Sequence, residues 1–315
     1  MTDPNPTPFA LPSDLDTVQL PVDARYITRD VGTLAQVRRD VNAVLQPLIE
    51  THFKAEPTKL VISMGRCRVG STALTNLFGM AGHSSFFQPF KAILRQHLHG
   101  QNDTAHIAAM AQPGVVHAKE MLGPYTAAET LWSPFCDLIG LGFPPDRLSV
   151  VWLERDVMSS LASWLHHWGG VLDRDTLVRH FILSSLRAAQ TAHDMEQAGV
   201  QVVAFNYDSI QTNPGAALSV LDALNIPHDL SVQDLAWGAR GNLASAQSFI
   251  TFVPEPADYG AVKVHSNLPK YAHVARDTAA VTAQERALLA EHGLFDIHAA
   301  HLARCVAAKA QPHNA

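Results

Sequence analysis

The stretch from Gly65 to Thr72, GRCRVGST, combines residue types that bind a phosphate or a similar anion. Four residues separate its two glycines, the spacing of a phosphate-binding loop, and the hydroxyl residues Ser71 and Thr72 follow the second glycine. Glycines let the backbone turn so that several N–H groups converge on one anion, and the start of the next helix adds partial positive charge. Hydroxyl groups can donate to phosphate oxygens. The loop is therefore predicted to bind an anionic group.

The lysine that follows the second glycine of a nucleotide-kinase loop is absent, and Arg66 and Arg68 lie inside the loop instead. A kinase uses that lysine together with Mg²⁺, which a carboxylate at a nearby strand end holds. In this chain the candidate strand LSVVWLERD ends at Glu154 and then offers Arg155. A cation at this position favours a second anionic group of the ligand over a metal ion.

Arg155 and Ser163, eight residues apart, form a second candidate pair of anion ligands. A guanidinium group can contact a phosphate through two parallel hydrogen bonds, and the serine adds a hydroxyl. A lone arginine here would be expected to pair with Asp156 or to cap a helix. The combination with the glycine-rich loop favours the ligand interpretation.

The elements that position these residues follow from the hydrophobic pattern. Short, nearly continuous apolar runs predict strands that are covered on both faces, at residues 59–64, 84–88, 114–119, 148–154 and 200–206. Segments with helical periodicity lie between them, which predicts an α/β fold with a central, mainly parallel sheet flanked by helices, a P-loop-like three-layer sandwich. Ligands of such sheets bind at the carboxyl ends of the strands, where GRCRVGST and ERD fall.

Together these motifs resemble the sulfotransferases that use 3′-phosphoadenosine-5′-phosphosulfate (PAPS). In that family a strand-loop-helix segment, [Lys/Arg]-[Ser/Thr]-Gly-[Ser/Thr]-Thr, binds the 5′-phosphosulfate. An arginine and a serine spaced like Arg155 and Ser163 bind the 3′-phosphate. Tyr207, in FNYDSIQTNPG, corresponds to the tyrosine of the family's Tyr-Glu-Asp-Leu segment. The first motif is matched by Arg68, Val69, Gly70, Ser71 and Thr72. The resemblance spans residues 59 to 295.

The resemblance implies a PAPS-dependent enzyme that transfers a sulfuryl group, without a metal, to a hydroxyl or amine of a small-molecule, lipid or sugar acceptor. Arg68 replaces the family's frequent lysine. Because a guanidinium stays protonated, we expect it to neutralise charge on the leaving phosphate oxygen. For Arg66 two interpretations stay open: a second nucleotide contact, or an ion pair with an acid at the surface.

The general base is the least defined part of the site. Some family members carry a glutamate in a Glu-Pro-Phe-like stretch, where this chain has Gln88; others carry a histidine in a Lys-Thr-His run, where Lys119 is followed by Glu120. Glu120 is the first candidate base, with His117 and His83 behind it. As alternatives, Glu120 forms an ion pair and His117 is a hydrogen-bonded strand histidine.

Two further parts of the site are only broadly predicted. A basic loop near the C-terminus, the family's third nucleotide contact, has candidates in Arg240, Lys263, Lys270 and Tyr271. Aromatic residues near strand ends are candidates for an apolar acceptor pocket, although such residues are more often core: Phe86, Phe87, Phe90, Tyr125, Trp164 and Trp168.

Two other functions remain compatible with the sequence. A phosphotransferase with an altered loop would need Mg²⁺, and both the missing lysine and Arg155 count against it. A nucleotide-binding protein without catalytic activity is compatible with Gln88, because an amide cannot take up a proton.

The amino-acid composition of the chain limits the classes of partner that it is expected to bind. The chain has 315 residues, 47% hydrophobic and 17% charged, which suits a folded domain with a large core. The formal net charge of −6 argues against nucleic acid or an anionic membrane as the main partner. Three cysteines without paired spacing and 17 histidines outside the known ligand patterns predict neither a disulfide framework nor a metal site.

The sequence also predicts the organisation of the chain. No apolar run reaches transmembrane length, and the acidic, proline-rich start is unlike a signal peptide, so a cytoplasmic protein is expected. Residues 1–30 are predicted to form a proline-rich tail, residues 31–305 a single domain and residues 306–315 a second tail. A small-molecule acceptor is the expected partner, and a homodimer is compatible with the sequence.

Overall fold

The computed structural model describes residues 11, 14–54, 57–232, 248–256, 259 and 277–305. Within this part of the chain a six-stranded sheet is flanked by helices, in the strand order β5-β4-β1-β3-β2-β6, and all five strand pairs are parallel. The predicted α/β sandwich is confirmed. The strands are β1 (Thr58–Arg66), β2 (Ser84–Phe87), β3 (Gly114–Leu122), β4 (Leu148–Glu154), β5 (Gln201–Asn206) and β6 (Ile250–Phe252).

The helices fill the connections between these strands. In the described residues the α-helices are α1 (Leu34–Leu48), α2 (Ser71–Met80), α3 (Pro89–Leu98), α4 (Ala105–Met110), α5 (Ala127–Leu131), α6 (Pro134–Gly140), α7 (Val157–Trp168), α8 (Arg174–Gln197), α9 (Ser209–Thr212), α10 (Leu218–Ala223), α11 (Ala283–Glu291) and α12 (Leu294–Arg304). A π-helical turn, Ile49–Phe53, continues α1. None of the described helices combines the length with the hydrophobicity that a membrane-spanning segment requires.

The sheet is buried on both faces, as the continuous apolar runs predict. Val61 of β1 belongs to a hydrophobic cluster with Leu74 and Phe78 of α2. Its neighbours Ile62 and Met64 belong to a second cluster, built with α1, α3 and α8 on the other face. Successive side chains of a strand point to opposite faces, so each face needs its own helical layer.

The packed domain begins earlier than residue 31. Leu20, Tyr26 and Ile27 are buried, and the carboxylate of Asp23 accepts hydrogen bonds from three following backbone N–H groups. Residues 14–30, assigned to a tail from their proline-rich start, are therefore part of the domain, because their apolar side chains close its core. Residues 1–10 and the predicted tail 306–315 lie outside the described residues.

The topology brings the predicted loops to one edge of the sheet. β1 is central: the chain moves to one side of it for β2 and β3 and to the other side for β4 and β5. The direction in which successive strands are added to the sheet reverses at β1. Open parallel sheets bind ligands at such a position. The loop after β1 and the residues after β4 therefore share one edge.

Candidate functional site

The end of β1 and the loop that follows it contain two close approaches that require glycine. A Cβ on Gly65 would lie 2.4 Å from the carbonyl oxygen of Leu153 in β4, and one on Gly70 would lie 1.9 Å from the ring of Tyr207. Gly70 also has a positive φ of 84° and immediately precedes α2. The tyrosine ring thus packs directly on the loop, and the neighbouring Val69 is fully buried.

Ser71 and Thr72 form the first turn of α2, where the backbone N–H groups have no helical partner. Ser71 is buried and Thr72 half-buried. Both lie at the positive end of a ten-residue helix. This part of the loop has the chemistry of an anion cradle.

Arg68 joins the two motifs that the sequence singles out. Its backbone is left-handed, with φ of 71°, a conformation that costs a residue other than glycine roughly 1–2 kcal/mol. Its Nε donates to Ser163 Oγ at 3.1 Å. Ser163 lies on α7 and is fully buried. The strained backbone therefore directs the guanidinium of the first motif onto the hydroxyl of the second.

Arg155 lies immediately after β4 and is mostly buried. Its Nε is 3.4 Å from Oδ1 of Asp208, and its guanidinium carbon is 5.5 Å from the centre of the Tyr207 ring. The other oxygen of Asp208 accepts the backbone N–H of Asp156, the cap residue of α7. Tyr207 therefore contacts the glycine loop and also lies beside Arg155, so the predicted 5′ and 3′ anion ligands are neighbours.

Arg66 is in a different place from the one predicted. It forms a buried ion pair with Glu154, donates to the carbonyl oxygen of Arg155 at 2.7 Å and lies 3.4 Å from Ser160 Oγ. Both members of the pair are almost fully buried. Arg66 is thus neither a surface residue nor an open nucleotide contact. It points into the protein because β1 continues to Arg66, and its guanidinium neutralises the carboxylate that a metal-dependent phosphotransferase would use.

His117 is the buried strand histidine of the alternative interpretation. Its Nδ1 lies 2.6 Å from Ser85 Oγ and its Nε2 lies 3.0 Å from Ser63 Oγ, so both ring nitrogens are engaged. The ring stacks on Phe78 at 4.2 Å. Burial, with a smaller effect of the Lys119 charge, lowers the pKa of His117 to about 3. The prediction of a catalytic role for His117 is not supported by this placement.

Glu120 is a buried residue of β3. It and Lys119 are consecutive in β3 and so point to opposite faces of the sheet. The Glu120 carboxylate accepts the backbone N–H groups of Phe90 and Lys91, at 2.7 and 3.2 Å, at the start of α3. Both carboxylate oxygens are therefore engaged at the N-terminus of α3, so Glu120 is not placed as a base for chemistry at the loop.

Glu120 makes stability depend on pH. Burial raises its pKa from 4.5 to about 7, against the hydrogen bonds from α3 and the charge of Lys91. A folded pKa above the unfolded value means that the folded protein binds the extra proton, so stability falls as pH rises from about 4.5 to about 7. We expect Glu120→Gln to remove this fall, on the order of 3 kcal/mol across that range.

Urea denaturation of the wild type and Glu120→Gln, at several pH values across this interval, measures the effect. The difference in unfolding free energy between the two proteins should change with pH. Parallel curves would show that Glu120 has no raised pKa.

The third candidate base, His83, lies just before β2, at the amino end of that strand and hence at the opposite edge of the sheet from the loop. Its Nε2 lies 3.1 Å from the carbonyl oxygen of Pro227. Arg240, Lys263, Lys270 and Tyr271 lie outside the described residues. Among the residues that are described, no group of three or more His, Cys, Asp or Glu side chains is arranged to hold a metal ion.

Lys119 is the basic residue that the fold brings to the loop. It is buried, and its Nζ lies 3.4 Å from the centre of the Phe87 ring. Burial lowers the pKa of Lys119 to about 7; the charges of Lys91 and Arg68 act in the same direction, and that of Glu255 acts against it. Lys119 is therefore partly protonated near neutral pH.

A group of buried charged residues beside Lys119 was missed from the sequence. Arg95 donates to both carboxylate oxygens of Glu129, at 3.1 and 2.9 Å, and its Nη1 lies 2.5 Å from Glu255 Oε1. Lys91 Nζ donates to the carbonyl oxygen of Gly123. Lys91 and Arg95 are four residues apart in PFKAILRQHL and lie on the buried face of α3. Charged residues on an otherwise apolar helix face were the signal available in the sequence.

Most of the predicted acceptor-pocket aromatics are core residues. Phe86, Phe87, Phe90 and Trp164 are buried, and Trp164 Nε1 donates to the carbonyl oxygen of Cys67 at 2.7 Å. This hydrogen bond connects α7 with the glycine loop. Tyr125 and Trp168 are half-buried and hydrogen-bonded to each other at 3.2 Å. The aromatics near strand ends are therefore mainly core residues, and Trp164 also binds the glycine loop.

Comparison of the chain with protein-family models, curated proteins and solved structures finds no match. The functional argument therefore depends on the residues and geometry described above.

Proposed function

We propose that this protein is a sulfotransferase that moves a sulfuryl group from PAPS to a hydroxyl or amine of a small-molecule, lipid or sugar acceptor. The observation that carries the proposal is the contact between Arg68 and Ser163. Two motifs 95 residues apart in sequence meet at one point of the sheet edge. A ligand with two separate anionic groups suits this arrangement better than a single phosphate does.

The residues present fit such a nucleotide. Arg68, Ser71 and Thr72, with the N-terminus of α2, supply cationic and hydrogen-bonding groups for the 5′-phosphosulfate. Arg155 beside Tyr207 supplies a guanidinium for the 3′-phosphate. When bound, the nucleotide supplies an activated sulfuryl group. In this chain Arg68 would neutralise the negative charge that builds on the 5′-phosphate oxygen, and Lys119, when protonated, would add a second positive charge.

The phosphotransferase alternative is weakened by Arg66. A carboxylate at the end of β4 would have to bind Mg²⁺, but Glu154 is already neutralised by a buried guanidinium. Breaking that pair to hold a metal would leave Arg66 buried without its counter-charge.

Nucleotide binding separates these alternatives. Calorimetric titrations with adenosine 3′,5′-bisphosphate and with ATP, each with and without Mg²⁺, should give metal-independent binding that favours the bisphosphate. Transfer from radiolabelled PAPS to a panel of phenols, aliphatic alcohols, sugars and amines then tests catalysis. A preference for ATP that depends on Mg²⁺ would reverse the assignment. Bisphosphate binding without transfer to any member of a broad panel would favour an inactive nucleotide-binding protein.

Arg155 provides a test of the 3′-phosphate site. Loss of a charge-assisted contact to phosphate is worth about 1.5–3 kcal/mol, so Arg155→Met should weaken binding of the bisphosphate by about 10- to 100-fold. Binding of adenosine 5′-monophosphate, which lacks the 3′ group, should change much less.

The ratio of the two affinities is the decisive measurement, because a general distortion of the site would weaken both nucleotides equally. Equal losses would remove Arg155 from 3′-phosphate recognition. Cytoplasmic location and the identity of the acceptor remain predictions.

A further inference from the structure

Glu255 lies at the same edge of the sheet as the glycine loop, although it is far away in sequence. β6 pairs with β2 in parallel, with Phe252 opposite Phe87, and Glu255 follows β6 by three residues. The side chain is 5% exposed. Its Oε1 accepts the side-chain N–H of Gln88 at 3.2 Å and lies 2.5 Å from Arg95 Nη1. The carboxylate is therefore held from two sides through one oxygen.

The other oxygen, Oε2, is buried and has no hydrogen-bond partner among the described residues. Buried carboxylate oxygens are normally hydrogen-bonded, and one without a partner indicates a missing donor. Gln88 donates to Oε1, and the Arg95 guanidinium forms its ion pair with the same oxygen, which leaves the lone pairs of Oε2 for a group that is not part of the described chain. The hydroxyl of an acceptor is such a donor.

Lys119 connects this carboxylate with the loop. In the sheet, Lys119 of β3 is the register partner of Phe87 and lies over its ring. The charges of Arg68 and of Glu255 both act on its ammonium group. Arg68, Lys119 and Glu255 therefore follow one another in the order of their strands, β1, β3 and β6, along the sheet.

We propose that Glu255 is the catalytic base of the proposed sulfuryl transfer, with Oε2 taking the proton of the acceptor hydroxyl. The inference rests on the proposed function. The acceptor O–H bond breaks and its proton goes to Oε2 as the acceptor oxygen forms its bond to sulfur. The bond from sulfur to the 5′-phosphate oxygen breaks, and its electron pair leaves with adenosine 3′,5′-bisphosphate.

Gln88 is a positioning residue for this carboxylate. Its amide cannot accept the proton but can donate to Oε1. Its backbone is fixed, because its N–H donates to the carbonyl oxygen of Lys119 at 2.8 Å and it immediately precedes α3. The base, Glu255, therefore follows β6, and Gln88, which follows β2, orients it.

The first test uses acceptors that differ in their need for a base. With an aliphatic alcohol from the panel, Glu255→Gln should slow transfer by about 100-fold or more. With a nitrophenol that is already ionised at the assay pH, the rate should stay within about threefold, because no proton has to be removed. The reciprocal variant, Gln88→Glu with Glu255→Gln, returns a carboxylate to the same hydrogen bond and should recover at least about tenfold of the lost rate.

The second test does not depend on turnover. Wild type and Glu255→Gln are saturated with adenosine 3′,5′-bisphosphate, and the ionisation of bound 4-nitrophenol is followed by its visible absorbance. A carboxylate beside the phenol disfavours the phenolate, so the apparent pKa of the bound phenol should be about one unit lower in Glu255→Gln. An unchanged pKa would place Glu255 away from the acceptor.

Glu129→Gln is the matched control, because Glu129 is the other carboxylate partner of Arg95. It should lower the melting temperature as Glu255→Gln does, without changing the ratio of alcohol to nitrophenol rates. A Glu255→Gln enzyme that loses both activities equally, or keeps both, would overturn the base assignment alone. A wild-type protein that neither binds the bisphosphate nor transfers sulfate would overturn the proposed function and this inference with it.

Discussion

Replacing Arg68 with alanine is expected to lower the rate of sulfuryl transfer by about 100- to 1,000-fold, the usual effect of removing one donor that stabilises charge in the transition state. The guanidinium of Arg68 is held by a hydrogen bond from its Nε to Ser163 Oγ. A donor that the protein itself holds in place is the kind of group that is most effective in stabilising a transition state. Steady-state kinetics with any active acceptor of the panel measures the loss.

Two companion variants separate the charge of Arg68 from its backbone. Alanine and arginine are both disfavoured at a φ of 71°, so Arg68→Ala changes the side chain without relieving strain. Arg68→Gly relieves the strain and should match the activity of Arg68→Ala. Arg68→Lys keeps the charge but loses the planar fork, so it should recover part of the rate. Wild-type turnover by Arg68→Ala would remove this residue from the mechanism.

Removing one partner of the buried pair Arg66–Glu154 is expected to cost about 3–5 kcal/mol of unfolding free energy. Glu154→Gln leaves the guanidinium buried without a counter-charge, and Arg66→Met leaves the carboxylate in the same state. Because a domain is usually stable by only about 5–15 kcal/mol, either variant should lose a large fraction of its stability. Chemical denaturation followed by circular dichroism gives the values.

The double variant and a surface pair provide the controls. Arg66→Met combined with Glu154→Leu replaces both charges with apolar groups beside Phe181 and should recover most of the stability. Arg304→Met, which removes a partly exposed pair with Glu196, should cost no more than about 1 kcal/mol. If Glu154→Gln were as stable as the wild type, the Arg66–Glu154 pair would not stabilise the folded protein.

The short-range features of the site were predictable from the sequence, because they depend on neighbouring residues. The five apolar runs are strands, and the loop after β1 leads into a helix at Ser71 as its spacing predicts. Strand ends were less well predicted: β1 continues past Gly65 to Arg66 and β3 continues past Glu120 to Leu122, beyond the predicted ends of the runs at Met64 and Lys119. The three-residue strand β6 was missed, because so short a segment has no detectable alternation.

The alternation of strands and helices could be read from the sequence, as could the positions of Arg68, Gly70 and Arg155 in the segments that follow β1 and β4. Local periodicity and backbone preferences are sufficient for this. Which charged side chains lie near the loop depends on tertiary packing. Lys119 and Glu120 are adjacent and point to opposite faces, and Gln88 meets Glu255 across 167 residues of sequence. Strand register and long-range pairing set these contacts, and neither can be read from a single run of residues.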